Sequence, residues 1–156
     1  MTGDAGTGND YPKALDQLRY LLERAEGVDV SWDADSVTAH GRNDDAFAVT
    51  LWGREPFTVG FDGWHEEFDD LEEAIRCFLF GLSPDQCRLK VTMRGGSDCK
   101  WTVQSLQDGG WVDGPSVGLL LVPFWKPARI VYRRNVVTPP PASPAGPPGS
   151  AGGSAR

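Results

Sequence analysis

The spacing of apolar residues predicts two amphipathic helices. In the first, apolar side chains recur three and four positions apart through residues 11–25, so they share one face of a helix. Pro12 suits the first turn, where its missing N–H would have no partner, and Gly27 suits the end. We expect this helix to lie with its apolar face on a sheet.

The second predicted helix follows an acidic segment in the middle of the chain. Its apolar stripe runs from Leu71 to Leu82. Asp69 or Asp70 can cap its start by accepting first-turn N–H groups, and the acids that follow match the positive end of the helix dipole. Gly81 is predicted to end the helix in a left-handed conformation.

Outside these helices, apolar and polar residues alternate, which predicts β-strands joined by tight turns. The tight turns favour antiparallel pairing. We therefore predict an α+β fold, with a mainly antiparallel sheet of about six to eight strands and the two amphipathic helices packed on it. The predicted strands lie at residues 28–33, 37–39, 46–52, 57–61, 88–94, 100–104, 117–122 and 129–133.

Composition divides the chain into three predicted segments. Residues 1–10 are predicted to be a flexible N-terminus, and residues 11–135 a single α+β domain. Residues 136–156 are rich in Pro, Gly, Ala and Ser and are predicted to be a disordered tail, because they have too few apolar side chains to offset their ordering entropy. A body of this size can bury a core without disulfides or metals.

The cysteines and the apolar runs indicate a cytoplasmic location. The chain has three cysteines, none in a C-x-x-C pair, and no secretory signal precedes them, so free thiols are expected. The longest apolar run, residues 117–125, is too short to span a bilayer, so no membrane association is predicted. Phosphate-binding glycine motifs are absent, and no cofactor is predicted.

Charge is distributed unevenly along the chain. The formal net charge is −7, but residues 1–75 carry 18 acids and 5 bases while residues 76–156 carry 4 acids and 10 bases. The two halves can attract each other within one fold, or the second half can present a basic face. Because phosphate neutralisation supplies most of the affinity for nucleic acid, the overall acidity makes nucleic acid an unexpected partner.

The acidic segment contains one candidate for chemistry. His65, Glu66, Glu67 and Asp69 stand close together and could act as acid and base in a small hydrolase or a metal-assisted enzyme. The zinc motif H-E-x-x-H is absent, because the residue four positions after His65 is Asp69. No metal site is predicted, and the plainer interpretation is a charged loop that leads into a helix.

A second candidate is a basic strand face. Six bases are predicted to lie opposite the apolar residues of their own strands: Arg88, Lys90, Arg94, Lys100, Arg129 and Arg133. If the strands are neighbours, this face could bind an anion or nucleic acid. Proteins that bind single strands add exposed aromatic rings, but Trp101 and Tyr132 fall at the apolar positions. A solvated sheet face is the alternative.

The interpretation that we favour is a non-catalytic module that binds another protein. The predicted contact residues form an acidic lobe within residues 62–73, namely Asp62, Trp64, Glu66, Glu67, Asp69 and Asp70. Several of the six tryptophans fall near turns, and exposed tryptophans mark binding surfaces when they cluster. At the level of class the chain is similar to bacterial immunity proteins, which implies an immunity- or inhibitor-like role through complementary charge.

Overall fold

The computed structural model describes residues 11–140, which fold as two helices and nine strands. Residues 1–10 and 141–156, where the flexible N-terminus and most of the tail were predicted, lie outside the described residues. The elements are α1 (Tyr11–Arg24), β1 (Val28–Trp32), β2 (Ser36–Gly41), β3 (Ala48–Trp52), β4 (Phe57–Phe61), β5 (Trp64–Phe68), α2 (Leu71–Leu82), β6 (Cys87–Arg94), β7 (Ser97–Gln107), β8 (Gly110–Gly118) and β9 (Ala128–Arg133).

The strands form two antiparallel sheets. Strands β1 to β5 make a meander in which each strand pairs with the next, as short connections favour. The second sheet has the order β8-β7-β6-β9, so the chain crosses from one edge to the other between β8 and β9. The α+β class, the antiparallel pairing and the two helices are confirmed. The described part of the chain has nine strands in two sheets, where the sequence predicted six to eight in one.

Helix α2 packs on the first sheet and begins as its sequence predicts. Asp70 is the N-cap, and its carboxylate accepts the N–H of Glu72 at 3.2 Å. Gly81, contrary to the prediction, lies inside the helix, and the C-cap is Ser83 in an extended conformation. A Cβ atom at Gly81 would overlap the ring of Phe61. The glycine is needed there because helix and strand approach closely.

The hairpins of the second sheet turn at glycines. The β6–β7 turn contains Gly95 and Gly96, with φ of 60° and 80°. The β7–β8 turn contains Asp108 and Gly109, with φ of 49° and 79°. Positive φ at two successive turn residues gives the twist that a two-residue hairpin requires. These turns fix the register that places side chains on each face.

The core lies between the two helices and the inner faces of both sheets. Tyr11 extends it at one end, where its ring meets Phe57 edge-on at 5.5 Å. The ring of Phe61 lies 4.8 Å from that of Trp64 and 5.5 Å from that of Phe47. The most deeply buried large apolar side chains include Leu18, Phe47, Val49, Leu51, Val59, Phe61, Leu71, Phe78, Leu89 and Val91. This shared core holds both sheets in one body.

The predicted charged loop before α2 is instead strand β5. Trp64 pairs with Phe61 and Phe68 with Phe57 on the neighbouring strand. The two aromatic ends of β5 point to the core, while the three residues between them are exposed. Because β5 is the edge strand of its sheet, it tolerates this polar centre. The prediction missed the strand because its apolar positions are far apart.

The prediction of a buried strand at residues 117–122 is wrong. Strand β8 ends at Gly118, and residues 119–127 form a loop that we call the crossover loop. This loop joins opposite edges of a four-stranded sheet, a distance of about 14 Å at the usual strand spacing. Leu120 and Leu121 are 100% and 94% exposed within it. An apolar run predicts burial only where a second layer covers it.

The folded part extends past the predicted domain boundary at residue 135. Asn135 and Val137 are 0% and 6% exposed. Thr138 exchanges two backbone hydrogen bonds of 2.9 Å with Glu26, after the end of α1. Residues 136–138 therefore belong to the folded body, and the segment that was predicted as a tail begins inside it.

Neither helix within residues 11–140 is both long and apolar enough to cross a membrane. Cys77, Cys87 and Cys99 are free thiols. Burial raises the pKa of Cys77 and of Cys87 to about 12. Because the thiolate is the reactive form of cysteine, the raised pKa disfavours reaction of these two side chains near neutral pH.

Candidate functional site

The residues of the predicted acid–base group do not all lie on one face of the sheet. His65 and Glu67 share the outer face of β5, whereas Glu66 pairs with Val59 on the opposite, core-facing side. Asp69 follows the strand and is exposed. Within residues 11–140, no three His, Cys, Asp or Glu side chains come together to hold a metal ion. Catalysis at His65 stays an untested prediction.

Three of the six predicted protein-binding residues have roles inside the fold. Trp64 is 3% exposed and packs on Phe61. Asp70 caps α2. One carboxylate oxygen of Asp62 accepts the N–H of Ala48 at 3.0 Å, and the other pairs with an arginine. Asp62 and Asp70 are exposed although they make these contacts, and the remaining residues of the predicted acidic lobe, Glu66, Glu67 and Asp69, are exposed as well.

The partner of Asp62 is Arg133, which ties the two sheets together. The Arg133 guanidinium donates two hydrogen bonds to Asp98, at 2.6 and 3.0 Å, and one to Asp62 at 2.9 Å. Asp98 lies on β7, and Asp62 lies in the turn between β4 and β5. Hydrogen bonds to Asp98 and Asp62 raise the pKa of Arg133. Two carboxylates therefore neutralise this predicted anion-binding base.

Only four of the six predicted bases share a face of the second sheet. We call this the outer sheet face, and its bases are Arg88, Lys90, Arg94 and Lys100. Strand β9 has the opposite phase to the prediction, because Tyr132 pairs with Lys90 and Arg129 pairs with Met93. Directly paired residues of antiparallel strands share a face. Arg129 and Arg133 therefore lie on the core-facing side.

The outer sheet face carries an aromatic–arginine stack. The Arg88 guanidinium lies 4.1 Å from the ring centre of Tyr132 and 4.7 Å from that of Trp111. Its Nε donates to Gln104, whose amide donates to Asp113 at 2.6 Å. These contacts hold the guanidinium in place between two rings from opposite edges of the sheet.

Asp113 is the acid of the outer sheet face, and neighbouring donors hold it in its charged form. Hydrogen bonds from Gln104 and Lys90 lower the pKa of Asp113. The Lys90 ammonium lies 3.2 Å from its carboxylate. Thr102 and Ser116 add a hydroxyl pair at 2.7 Å on the same face. The face thus has more positive than negative charges, together with hydrogen-bonded polar groups and aromatic rings.

Sequence reasoning missed the aromatic part of this face. It placed Tyr132 at an apolar position, but Tyr132 is 46% exposed beside Arg88. Trp101 does lie in the core, at 8% exposure. The phase of β9 depends on its pairing with β6, and alternation within β9 does not reveal which set of residues faces inward. The sequence contains no local signal that resolves this.

The crossover loop is anchored at its base and exposed at its tip. The Arg94 guanidinium donates to the backbone carbonyl oxygens of Phe124 and Lys126, at 3.4 and 2.8 Å. A turn closes on the N–H of Lys126, which donates to the carbonyl of Pro123 at 2.9 Å. Gly95 leaves room for the Lys126 stem, which a Cβ atom would overlap. The backbone near the base is therefore held by several contacts.

The sequence did contain a signal for this loop. Pro123 interrupts the apolar run of residues 117–125 and Pro127 follows it, and proline cannot donate to a central strand ladder. The tip between Leu119 and Trp125 has side chains that the core does not use, since Phe124 and Trp125 are 77% and 72% exposed. Their two rings contact each other edge-on, with centres 5.3 Å apart.

Known proteins provide no match to this chain. Comparison with models of protein families, with curated proteins and with solved structures finds none that matches it. The crossover loop and the outer sheet face are therefore the observations from which its function is inferred.

Proposed function

We propose that the protein is a non-catalytic protein-binding module and that the crossover loop is its main contact surface. The observation that carries this proposal is the exposure of large apolar side chains in one short segment. Exposed apolar residues that stand alone are ordinary, but a contiguous group of this kind is typical of an interaction site. The exposed residues are Leu119, Leu120, Leu121, Phe124 and Trp125.

The shape of the loop supports the proposal. Arg94 fixes the backbone at Phe124 and Lys126, so less conformational entropy is lost when a partner binds. Aromatic anchors such as Trp125 supply much of the binding energy in protein interfaces. Lys126 stands beside the apolar tip and favours a partner whose cleft has an acidic rim.

This proposal moves the main contact away from the predicted acidic lobe. Of that lobe, Glu66, Glu67 and Asp69 keep exposed side chains, and they can add charge complementarity in an immunity- or inhibitor-like complex. Charges at the rim of an interface mainly affect association rate, whereas a buried apolar anchor mainly affects lifetime. The loop is therefore the part whose removal should abolish a stable complex.

Affinity capture with matched variants tests the proposal. The loop variant combines Leu120→Ser with Phe124→Ser, and the control combines Tyr20→Ser with Leu21→Ser on α1, where the side chains are 50% and 36% exposed. We expect the wild type and the control to retain one stoichiometric protein, and the loop variant to lose it. Retention by all three proteins alike would contradict the loop as the contact surface.

A further inference from the structure

We propose that the outer sheet face binds single-stranded nucleic acid. The inference rests on Tyr132, Arg88 and Trp111, which lie on strands outside the crossover loop, and it does not depend on the partner proposed for the loop. The expectation against nucleic acid rested in part on Tyr132 facing the core. In the structure, Tyr132 stands on the outer sheet face with 46% of its surface exposed, in contact with Arg88.

The aromatic–arginine stack is suited to unpaired bases. Bases stack on aromatic rings whatever their sequence, because every base has a flat π-face. Tyr132 and Trp111 each contact the Arg88 guanidinium, and Gln104 holds that guanidinium through a hydrogen bond to its Nε. The rings are thereby oriented before a ligand arrives. Duplex bases cannot use them, since their faces are already stacked.

Charge complementarity identifies the ligand as a polyanion. The outer sheet face carries four bases, Arg88, Lys90, Arg94 and Lys100, and the acid Asp113, which pairs with Lys90. This face therefore has a surplus of positive charge. Lys100 pairs with Thr92 on the outer sheet face, next to Lys90. A phosphate backbone that follows these lysines would place its bases toward Tyr132.

The overall charge limits the kind of binding that is expected. A net charge of −7 opposes sequence-independent association with duplex DNA, which draws nearly all its affinity from phosphates. Binding that combines stacking with a few phosphate contacts is less affected. We therefore expect moderate affinity, a preference for single strands, and a clear loss of affinity as salt rises.

Fluorescence anisotropy on the full chain tests the inference. The probe is a labelled oligouridylate of about twelve nucleotides, a length that suits a single site on a small domain. We expect Tyr132→Ala to weaken binding by ~5- to ~150-fold, and Tyr132→Phe to keep it because the ring remains. Ile130→Ala is the matched control, since Ile130 is 49% exposed on the same face of β9 and pairs with Thr92, whereas Tyr132 pairs with Lys90 and stacks on Arg88.

The salt dependence of the affinity and the comparison of single strand with duplex provide a second test. Between ~50 and ~200 mM salt, the affinity should fall, and Lys100→Ala should reduce the logarithmic salt slope by about 0.7. The inference is overturned if the oligonucleotide does not bind, if a duplex of the same length binds as well as the single strand, or if Tyr132→Ala and Ile130→Ala have equal effects.

Discussion

Asn135 should be one of the most sensitive positions for stability. Its side chain is fully buried and joins three segments of the chain. Its Oδ1 accepts the backbone N–H of Gly41 at 3.1 Å and that of Phe47 at 3.2 Å, and its Nδ2 donates to the carbonyl of Gly81 at 3.0 Å. Asn135→Ala would leave all three backbone groups without this partner.

The magnitude follows from those three contacts. A buried polar group that loses its partner costs about 1–3 kcal/mol, so even the lower value gives about 3 kcal/mol for Asn135→Ala. This is a large fraction of the 5–15 kcal/mol that is typical of small domains. With a urea m-value of about 2 kcal/mol per molar, the midpoint of unfolding should fall by about 1.5 M. Tryptophan fluorescence during urea titration measures it.

Asn135→Asp is the informative companion variant. A protonated aspartic acid can accept from Gly41 and Phe47 and donate to Gly81, whereas a buried carboxylate cannot donate and is poorly solvated. Burial raises the folded-state pKa of Asp above its unfolded value, so stability is fully present below that unfolded value and lost as pH rises through the folded one. A loss below about 1 kcal/mol for Asn135→Ala, or no pH dependence for Asn135→Asp, would refute the reasoning.

Three further predictions test other contacts in the fold. Arg133→Met should lower the free energy of unfolding by about 2 kcal/mol, because it leaves the carboxylates of Asp62 and Asp98 without their partner. Arg42→Met should cost less than about 1 kcal/mol, because the ion pair of Arg42 is exposed. Equal losses for the two variants in urea titrations would contradict this prediction. Gly81→Ala should lower the free energy of unfolding by about 1–3 kcal/mol, because the added Cβ atom overlaps Phe61. Helix propensity alone favours alanine, so an increase in the free energy of unfolding would contradict this prediction. Cys87 should react with iodoacetamide at pH 8 no faster than the protein unfolds, because burial raises its pKa to about 12; rapid labelling of the native state, read by mass spectrometry, would count against this.

Helix α2 shows what local sequence can predict. Its stripe, its cap at Asp70 and its acidic first turn are all encoded within a dozen residues, so no distant contact is needed to recognise it. The prediction that Gly81 ends the helix was wrong, because this glycine makes room for the ring of Phe61 on another element. Local features thus predicted the element, while its fit to the sheet required the tertiary structure.

The candidate surfaces depended on information that the sequence does not contain locally. The phase of β9 is set by its register with β6, which puts Tyr132 outside and Arg133 inside. The exposure of Leu120 depends on the strand order, because the chain must cross from one edge strand of the sheet to the other. Alternation and hydropathy describe each strand well, but they do not say which layer lies beside it.

Position-specific photo-crosslinking tests the proposed contact most directly. A photoreactive amino acid placed at Leu121, which is 94% exposed, is compared with the same group at Leu21 on α1, which is 36% exposed. After irradiation in cells that produce the protein, we predict one discrete protein adduct from position 121 and none of that mass from position 21. The same adduct from both positions, or no adduct from position 121, would contradict the crossover loop as the binding surface.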